Sequence, residues 1–402
     1  EKNNNRLTMK KLLLILLCLP VVALAQQTYV PDDNFEQRLI DLGYDNVLDN
    51  YVNTNNIINI TNLNLNNRNI SSLTGIEDFI SLTYLSVYNN SLSNLDLSNN
   101  INLVTLFCGL NQLTSLNINN INSLDKLVCD RNLLTTLDLS NNNNLDYVHA
   151  RENQLTNINL TDASSLTYLD CQNNQLSYLN VSDAISLTWI DCGINQLTSL
   201  DLSQNTFLDT LRAYQNQLTN IDLSNNINLI QLSLGSNQLT NIDVSNNLML
   251  SSLDCTNNFL TSLDVTNNLS LTFLQFINNQ ITSVDASNNL NLTHFSATSN
   301  LLNFLDIRNG NNSNCTFGVT NNPNLTCINV DDTLWSNSNW IFIDSQHYFS
   351  TNCNATTLIE EHSTNKELLK VTDLLGRETK KTNQLLLYIY DDGTVEKKLI
   401  IE

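Results

Sequence analysis

Leu187-Thr-Trp-Ile-Asp-Cys-Gly-Ile-Asn-Gln-Leu-Thr-Ser-Leu-Asp-Leu-Ser-Gln-Asn-Thr-Phe207 is one turn of a pattern, and the next 21 residues, from Leu208 to Asn228, repeat it position for position. The fourth position of the unit recurs at Leu85, Leu106, Leu127, Val148, Leu169, Ile190, Leu211, Leu232, Leu253, Leu274 and Phe295, always 21 residues apart. Each stands inside the frame L-x-x-L-x-(C/L/A/V/F)-x-x-N-x-(L/I). A fixed period of this length implies a solenoid, because one such unit cannot bury its apolar side alone and must stack on its neighbours. The apolar first, fourth and sixth positions therefore point inward, and stacking removes them from water at about 25 cal/mol per Å² of apolar area.

Each coil carries L-x-x-L-x-L twice, before and after the frame Asn (Leu197, Leu200, Leu202; Leu260, Leu263, Val265). Two short parallel strands per coil follow, stacked into two sheets with neighbours about 4.8 Å apart. The frame resembles the leucine-rich repeat, and the full unit L-x-x-L-x-C-x-x-N-Q-L-T-x-L-D-L-S-x-N-x-x looks like that family's 21-residue irregular class. The resemblance covers residues 57–330 and implies a β-rich rod of about eleven to twelve coils. Asn111, Asn132, Asn153, Asn174, Asn195, Asn216, Asn237, Asn258 and Asn279 occupy the family's Asn position. They are expected to satisfy backbone groups of their own and neighbouring coils, since a buried turn leaves such groups otherwise unpaired.

A rod exposes sheet edges at both ends and needs caps. Pro31–Gly43 reads as a helix, with Asp33 and Glu36 as a capping box, Phe35, Leu39 and Leu42 as the apolar stripe and Gly43 as the stop; residues 26–56 form the N-terminal cap. Behind Ile307 the pattern degrades, and residues 331–357 form a C-terminal cap and linker; Cys327, just ahead of it, and Cys353, within it, stand outside the cysteine ladder and are placed to pair. Five further cysteines, Cys108, Cys129, Cys171, Cys192 and Cys255, fall at the inward sixth position. Parallel in-register side chains do not converge to the spacing a disulfide requires, so these are expected to be buried free thiols, with Cys315 left over. No Cys-x-x-Cys or Cys/His cluster accompanies the column, which argues against a metal.

Met9, Lys10-Lys11, the apolar run Leu12–Leu19 and Ala23-Leu24-Ala25 read as a secretory signal with cleavage after Ala25, so that residues 1–8 precede the expected start. The chain carries a formal charge of −21. Loss of four basic and one acidic residue with the signal leaves about −24, a sign that excludes nucleic acid as partner. No other stretch is apolar long enough to span a bilayer.

Residues 358–402 change character. Lys and Arg are enriched, and Leu385–Tyr390, Asp392-Gly393 and Val395–Ile401 read as a hairpin. With Asp373, Leu375, Gly376, Arg377, Gly393, Lys397 and Lys398, this tail resembles the C-terminal sorting domain of the type IX secretion system. The Pro-Asn-Pro opening of many such domains is missing. The resemblance implies a small β-sandwich, export by the type IX machinery, and a destination in the medium or on the outer-membrane surface of a Gram-negative cell.

The two faces of the coil differ. Outward positions of the second strand are monotonous and end in the column Asp96, Asn117, Asp138, Asn159, Asn180, Asp201, Asp222, Asp243, Asp264, Asp285 and Asp306. As a calcium site this column is interrupted by Asn and has no cage of oxygens, so it reads as a solvated hydrogen-bonding ladder. The first strand is diversified. Its third position carries Tyr84, Lys126, Tyr147, Tyr168, Trp189, Phe273 and His294, and its fifth and seventh carry Phe107, His149, Arg151, Asp170, Asp191, Arg212 and Tyr214. The four basic residues between Asn69 and Ile307, namely Lys126, Arg131, Arg151 and Arg212, are all expected on outward positions of this strand. Exposed Tyr, Trp and Arg are the residues that carry binding energy at recognition surfaces.

Tyr147, His149, Arg151, Tyr168, Asp170, Trp189, Asp191, Arg212 and Tyr214 thus form the candidate site for an extracellular protein or glycan. The alternative is a ligand-free structural rod. Asp170 and Asp191, one strand spacing apart, raise a more remote possibility of a retaining glycoside hydrolase. Against it stand the recurrence of Asp at this position in Asp254 and the flatness of an open sheet, which excludes no water. No serine-hydrolase elbow, HExxH or phosphate loop occurs, and nothing calls for a cofactor.

Overall fold

A computed structural model describes residues 26–353, 368–379, 384–390 and 395–400. The signal segment and Gly393 lie outside the described residues. The chain divides after Asn352 into two compact units.

The first unit is a β-solenoid of about fourteen turns. Its first strands form one continuous parallel sheet of thirteen strands, from Asn62–Asn64 to Thr316–Gly318. In this sheet the register is strict: Leu169 faces Ile190, which faces Leu211. The sheet is longer than the 21-residue count of eleven to twelve coils, because Leu63 pairs with Leu85 and Phe295 with Phe317 across 22 residues. One extra residue in a turn breaks the sequence period while leaving the stacking intact.

The second strands do not form the continuous sheet expected of them. They pair only as Asn94–Asp96 with Ser115–Asn117, as Thr136–Asp138 with Asn157–Asn159, and in a four-stranded group near the C-terminal end. At the first two pairs an amide faces a carboxylate and bonds to it, Asn117 Nδ2 to Asp96 and Asn159 Nδ2 to Asp138 at 3.0 and 2.9 Å. Strand pairing is absent, among the described residues, along Asp201, Asp222, Asp243 and Asp264.

The core is a single column of inward leucines, isoleucines, valines and cysteines. Cys108, Cys129, Cys171, Cys192 and Cys255 are buried free thiols, as their position required, and Cys315 is also free. Burial holds the five column thiols far above their ordinary pKa and raises that of Cys315 to about 12. Cys327 and Cys353 are joined in a disulfide.

The frame asparagines work as expected. Asn216 Nδ2 donates to the carbonyls of Cys192 and Ala213, 3.0 and 3.2 Å away, and its Oδ1 accepts the Leu197 N–H at 2.9 Å. A second ladder, not anticipated, lies on the opposite turn. Asn205, Asn226, Asn247, Asn268 and Asn289 are fully buried, and each Nδ2 donates to two carbonyls of the preceding coil. Also unanticipated is the left-handed backbone of the eighth position in every coil from Asn89 to Ser299, including Ile194 at φ 53°. That conformation costs a branched residue about 1–2 kcal/mol. It turns the N–H toward the next coil, where Ile194 donates to the Tyr214 carbonyl at 2.9 Å.

The N-terminal cap helix is Asp33–Asp41, one residue out of phase with the expected capping box. Asp32, not Asp33, is the N-cap, accepting from the N–H groups of Asn34 and Phe35. Glu36 is buried and turned away to accept from Asp49 and Tyr51, so it cannot close the box. The strands Gln27–Tyr29 and Tyr51–Asn53 pair antiparallel in this cap. At the other end a short helix, Thr333–Asn339, covers the last coils.

The second unit contains a three-stranded antiparallel sheet of Leu368–Thr372, Gln384–Tyr390 and Val395–Ile400. The expected hairpin is its last two strands, with Leu387 opposite Lys397 and Leu386 opposite Lys398. Asp373 accepts the Arg377 N–H, and the two side chains form an ion pair at 2.8 Å, closing a turn at Gly376 whose φ of 76° suits glycine.

Candidate functional site

Third-position side chains in adjacent parallel strands stand one spacing apart on the same face, which sets flat rings against one another. Tyr147, Tyr168 and Trp189 make an almost parallel stack, with ring centroids 4.2 Å apart at both steps. The stack is capped by cations at both ends: Lys126 Nζ lies 4.4 Å from the Tyr147 ring centre, and the Arg212 guanidinium 5.7 Å from that of Trp189. Ring faces are thus consumed within the stack, and the rings meet solvent by their edges and by the tyrosine hydroxyls. Stacked pairs and cation–π contacts contribute about 0.5–1.5 and 0.5–2 kcal/mol each. The rings are half-buried.

Beside them the fifth-position column reads His149, Asp170, Asp191, Arg212, in register from coil to coil. Asp170 and Asp191 are each only 4% exposed. Each accepts the N–H two residues on, that of Gln172 at 3.1 Å and that of Gly193 at 3.0 Å. Burial raises both carboxyl pKa values, and for Asp191, with Asp170 adding to it, the result is about 6. His149 Nδ1 lies 3.2 Å from Asp170, and Arg212 offsets part of the rise at Asp191.

The seventh position completes the surface. Tyr214 lies across the coil of Gly193 and accepts a hydrogen bond from Gln172 Nε2. A Cβ on Gly193 would come within 2.6 Å of the Tyr214 ring, so the glycine is there for space. Arg151 pairs with Glu152 at 3.4 Å, and Glu152 also takes Arg131 at 3.0 Å. Arg131 occupies the left-handed turn position, not the outward strand position expected from the sequence.

All nine sequence-derived residues therefore fall in one patch across four coils. Lys126, Glu152, Gln172 and Gly193 belong to it as well and were not included. Lys126 was readable from its column, one coil before Tyr147. The other three carry no sequence signal, because their roles depend on what the neighbouring coil presents. Among the described residues no group of three His, Cys, Asp or Glu side chains is arranged to hold a metal, and no helix is long and apolar enough to cross a membrane.

Comparison with solved structures finds many similar chains. The functional domain of InlJ from Listeria monocytogenes, which includes a cysteine ladder, superposes with a TM-score of 0.65 at 26% identity, covering 93% of this chain and 98% of that one. The fold is that of the leucine-rich repeat proteins. An internalin, InlF, from the same organism gives a TM-score of 0.63 at 21% identity over 81% and 96% of the two chains. The leucine-rich repeat protein LIC12759 of Leptospira interrogans gives 0.53 at 22% identity over 67% and 77%. No model of a known protein family matches the chain, and no curated protein does.

Proposed function

We propose that the chain is a secreted or cell-surface recognition protein that binds a protein partner through the central patch of its first-strand sheet. The observation that carries this reading is the cation-capped ring stack beside two buried carboxylates. A glycan platform presents ring faces, whereas this stack offers edges, hydroxyls and charge, which suit the mixed polar and aromatic chemistry of a protein interface. Asp170 and Asp191 are covered by their neighbours, each only 4% exposed, which leaves neither carboxyl open to a glycosidic bond, so a binding role is favoured over hydrolysis. The likeness to the InlJ domain, at 26% identity, supports the repeat scaffold on which such a face is displayed.

The test is capture by immobilised full-length protein on protein and glycan arrays. Protein ligands that are retained by the native chain and lost with Trp189→Ala support the reading. Retention unaffected by that substitution, or no ligand at all, returns the molecule to a structural rod.

The proposal extends to the domain plan: 26–56 cap, 57–330 recognition solenoid, 331–357 C-terminal cap and linker, and 358–402 a small sandwich acting as a type IX sorting signal through Asp373, Gly376, Arg377, Gly393, Lys397 and Lys398. The Asp373–Arg377 ion pair and the terminal hairpin support it. Deletion of residues 358–402 should then strand the chain in the periplasm of a Gram-negative host. Normal delivery of the truncated chain to surface or medium would overturn the sorting role.

A further inference from the structure

Near the C-terminal end of the first-strand sheet, some five coils from the central patch, the helix Thr333–Asn339 and the segment after it stand over the last strands and leave a cleft of about 450 Å³. This lies within the range of about 300–1,000 Å³ typical of small-molecule sites. One side is aromatic: Trp335, packed edge-on against the buried Trp340, and Phe342, a residue 65% exposed. The other side is a row of neutral hydrogen-bonding groups, with Thr298 and Thr320 hydroxyls 3.3 Å apart, His294 Nδ1 at 3.3 Å from the Thr316 hydroxyl, and the Asn339 amide.

Two features set this cleft apart from the rest of the rod. Among the described residues lining it none is Asp, Glu, Lys or Arg, in a chain whose net charge is −21. Its floor is Gly318, where a Cβ would meet Phe342 Cβ and Thr298 Oγ1 only at 3.8 Å and Ser296 Oγ at 3.9 Å. The glycine is thus not forced by crowding, as Gly193 is. A methyl group would sit there in ordinary contact with its neighbours and occupy that corner of the cleft.

We propose that this cleft binds a neutral saccharide of one or two rings, with the apolar face of a sugar against Phe342 and Trp335 and its hydroxyls toward the Thr298–Thr320 row and Asn339. A charged sugar or a carboxylate ligand finds no counter-charge here, and a purely apolar ligand would strip water from the hydroxyl row without replacing its hydrogen bonds. The His294 ring is stacked on Phe273, with its Nδ1 beside the Thr316 hydroxyl and its Nε2 buried, so it walls the cleft and leaves the hydroxyl row to meet the ligand. The site is independent of the central patch, where ring faces are occupied; here Phe342 is exposed.

The test is saturation-transfer NMR and calorimetry on the full chain with N,N′-diacetylchitobiose, cellobiose and maltose, beside digalacturonate and N-acetyl-leucinamide. Saturable binding of at least one neutral disaccharide is expected, with Kd of about 1 mM. Phe342→Ala, at an exposed position that leaves the fold intact, should weaken it about fivefold or more, a loss of roughly 1 kcal/mol. Gly318→Ala, which fits the backbone but fills the floor, should weaken it too, and Trp189→Ala should not. The proposal is overturned if no neutral disaccharide saturates the protein, if binding ignores both cleft substitutions, or if only N-acetyl-leucinamide binds, which would assign the cleft to an apolar peptide side chain.

Discussion

Asp191 and Asp222 sit in the same local motif on opposite faces of the coil, each accepting the N–H of the residue two positions on, at 3.0 and 2.9 Å. Their chemistry runs in opposite directions. On the outer face Asp222 is solvated, and hydrogen bonds from Ser224 hold its pKa below the ordinary value, as similar bonds do for Asp201 and Asp243. On the inner face Asp191 lies under aromatic neighbours beside a second carboxylate, and its pKa rises to about 6. The turn is the same; what differs is the desolvation supplied by side chains from adjacent coils. A repeat thus fixes backbone geometry everywhere and leaves electrostatics to be set by whatever is stacked alongside.

This contrast is best broken at the ladders that hold both faces. Asn216→Ala should cost the most, about 3 kcal/mol, because it strips the Leu197 N–H of its acceptor in a dry interior and takes one of two amide donors from each of the Cys192 and Ala213 carbonyls, which keep only Asn195 and Asn237. Asn226→Ala, on the second ladder, should cost less, since the Asn226 Oδ1 is buried with no hydrogen-bond partner. Chemical denaturation of the two variants ranks the ladders; equal losses would mean that the two turns bear the stacking alike.

Gly193→Ala comes next, at about 1–3 kcal/mol, because the Tyr214 ring must leave its place over the glycine and its contact with Gln172. Double mutation with Tyr214→Ala should recover most of that loss. Additive losses would show that the glycine serves another purpose.

The carboxylates sharpen the comparison through pH. A pKa raised on folding means that the native state holds the proton more tightly than the unfolded chain. Stability contributed by Asp191 should therefore grow as pH falls from 7 through about 6 toward the ordinary carboxylate range. Asp191→Asn should remove that gain and raise stability at pH 7 by about 2 kcal/mol. Asp222, lowered on folding, contributes in the reverse sense, losing its stabilisation only as pH drops through the ordinary carboxylate range, so Asp222→Ala should leave the gain between pH 7 and 5 untouched. Thermal melts across pH 4–8 decide this, and a flat profile for the native chain would refute the burial assigned to Asp191.

The smallest effect is a gain. Ile194 is a branched residue in a left-handed turn, at φ 53°. Ile194→Asn should stabilise by about 1 kcal/mol, read as a higher Tm.

What could be read from sequence follows from range. The period, the inward leucines and thiols, and the frame Asn repeat with a residue's position in its own coil, and these were legible. The aromatic columns were legible too, because in-register stacking turns a 21-residue spacing into contact. Contacts that depend on unlike neighbours were not. Nothing in Gly193 announces Tyr214, and nothing in Asp191 distinguishes it from Asp222 until the adjoining coil is present. The one-residue shift from Asp33 to Asp32 at the cap has the same origin, since Asp32 is fixed by Ser71 and Ser72, 39 and 40 residues further along the chain.

The constancy of the 21-residue coil has a consequence for how such a chain changes over generations. Recombination between misaligned copies of the repeat adds or removes whole coils, and each joint lands at an equivalent point of the turn, with the Asn and the left-handed corner already in place. The product keeps its interior and acquires a new order of outward residues, so that Lys126, Tyr147, Tyr168, Trp189 and Arg212 are one arrangement of interchangeable units. An exchange of that kind would reorder the outward residues while the buried ladders stay continuous.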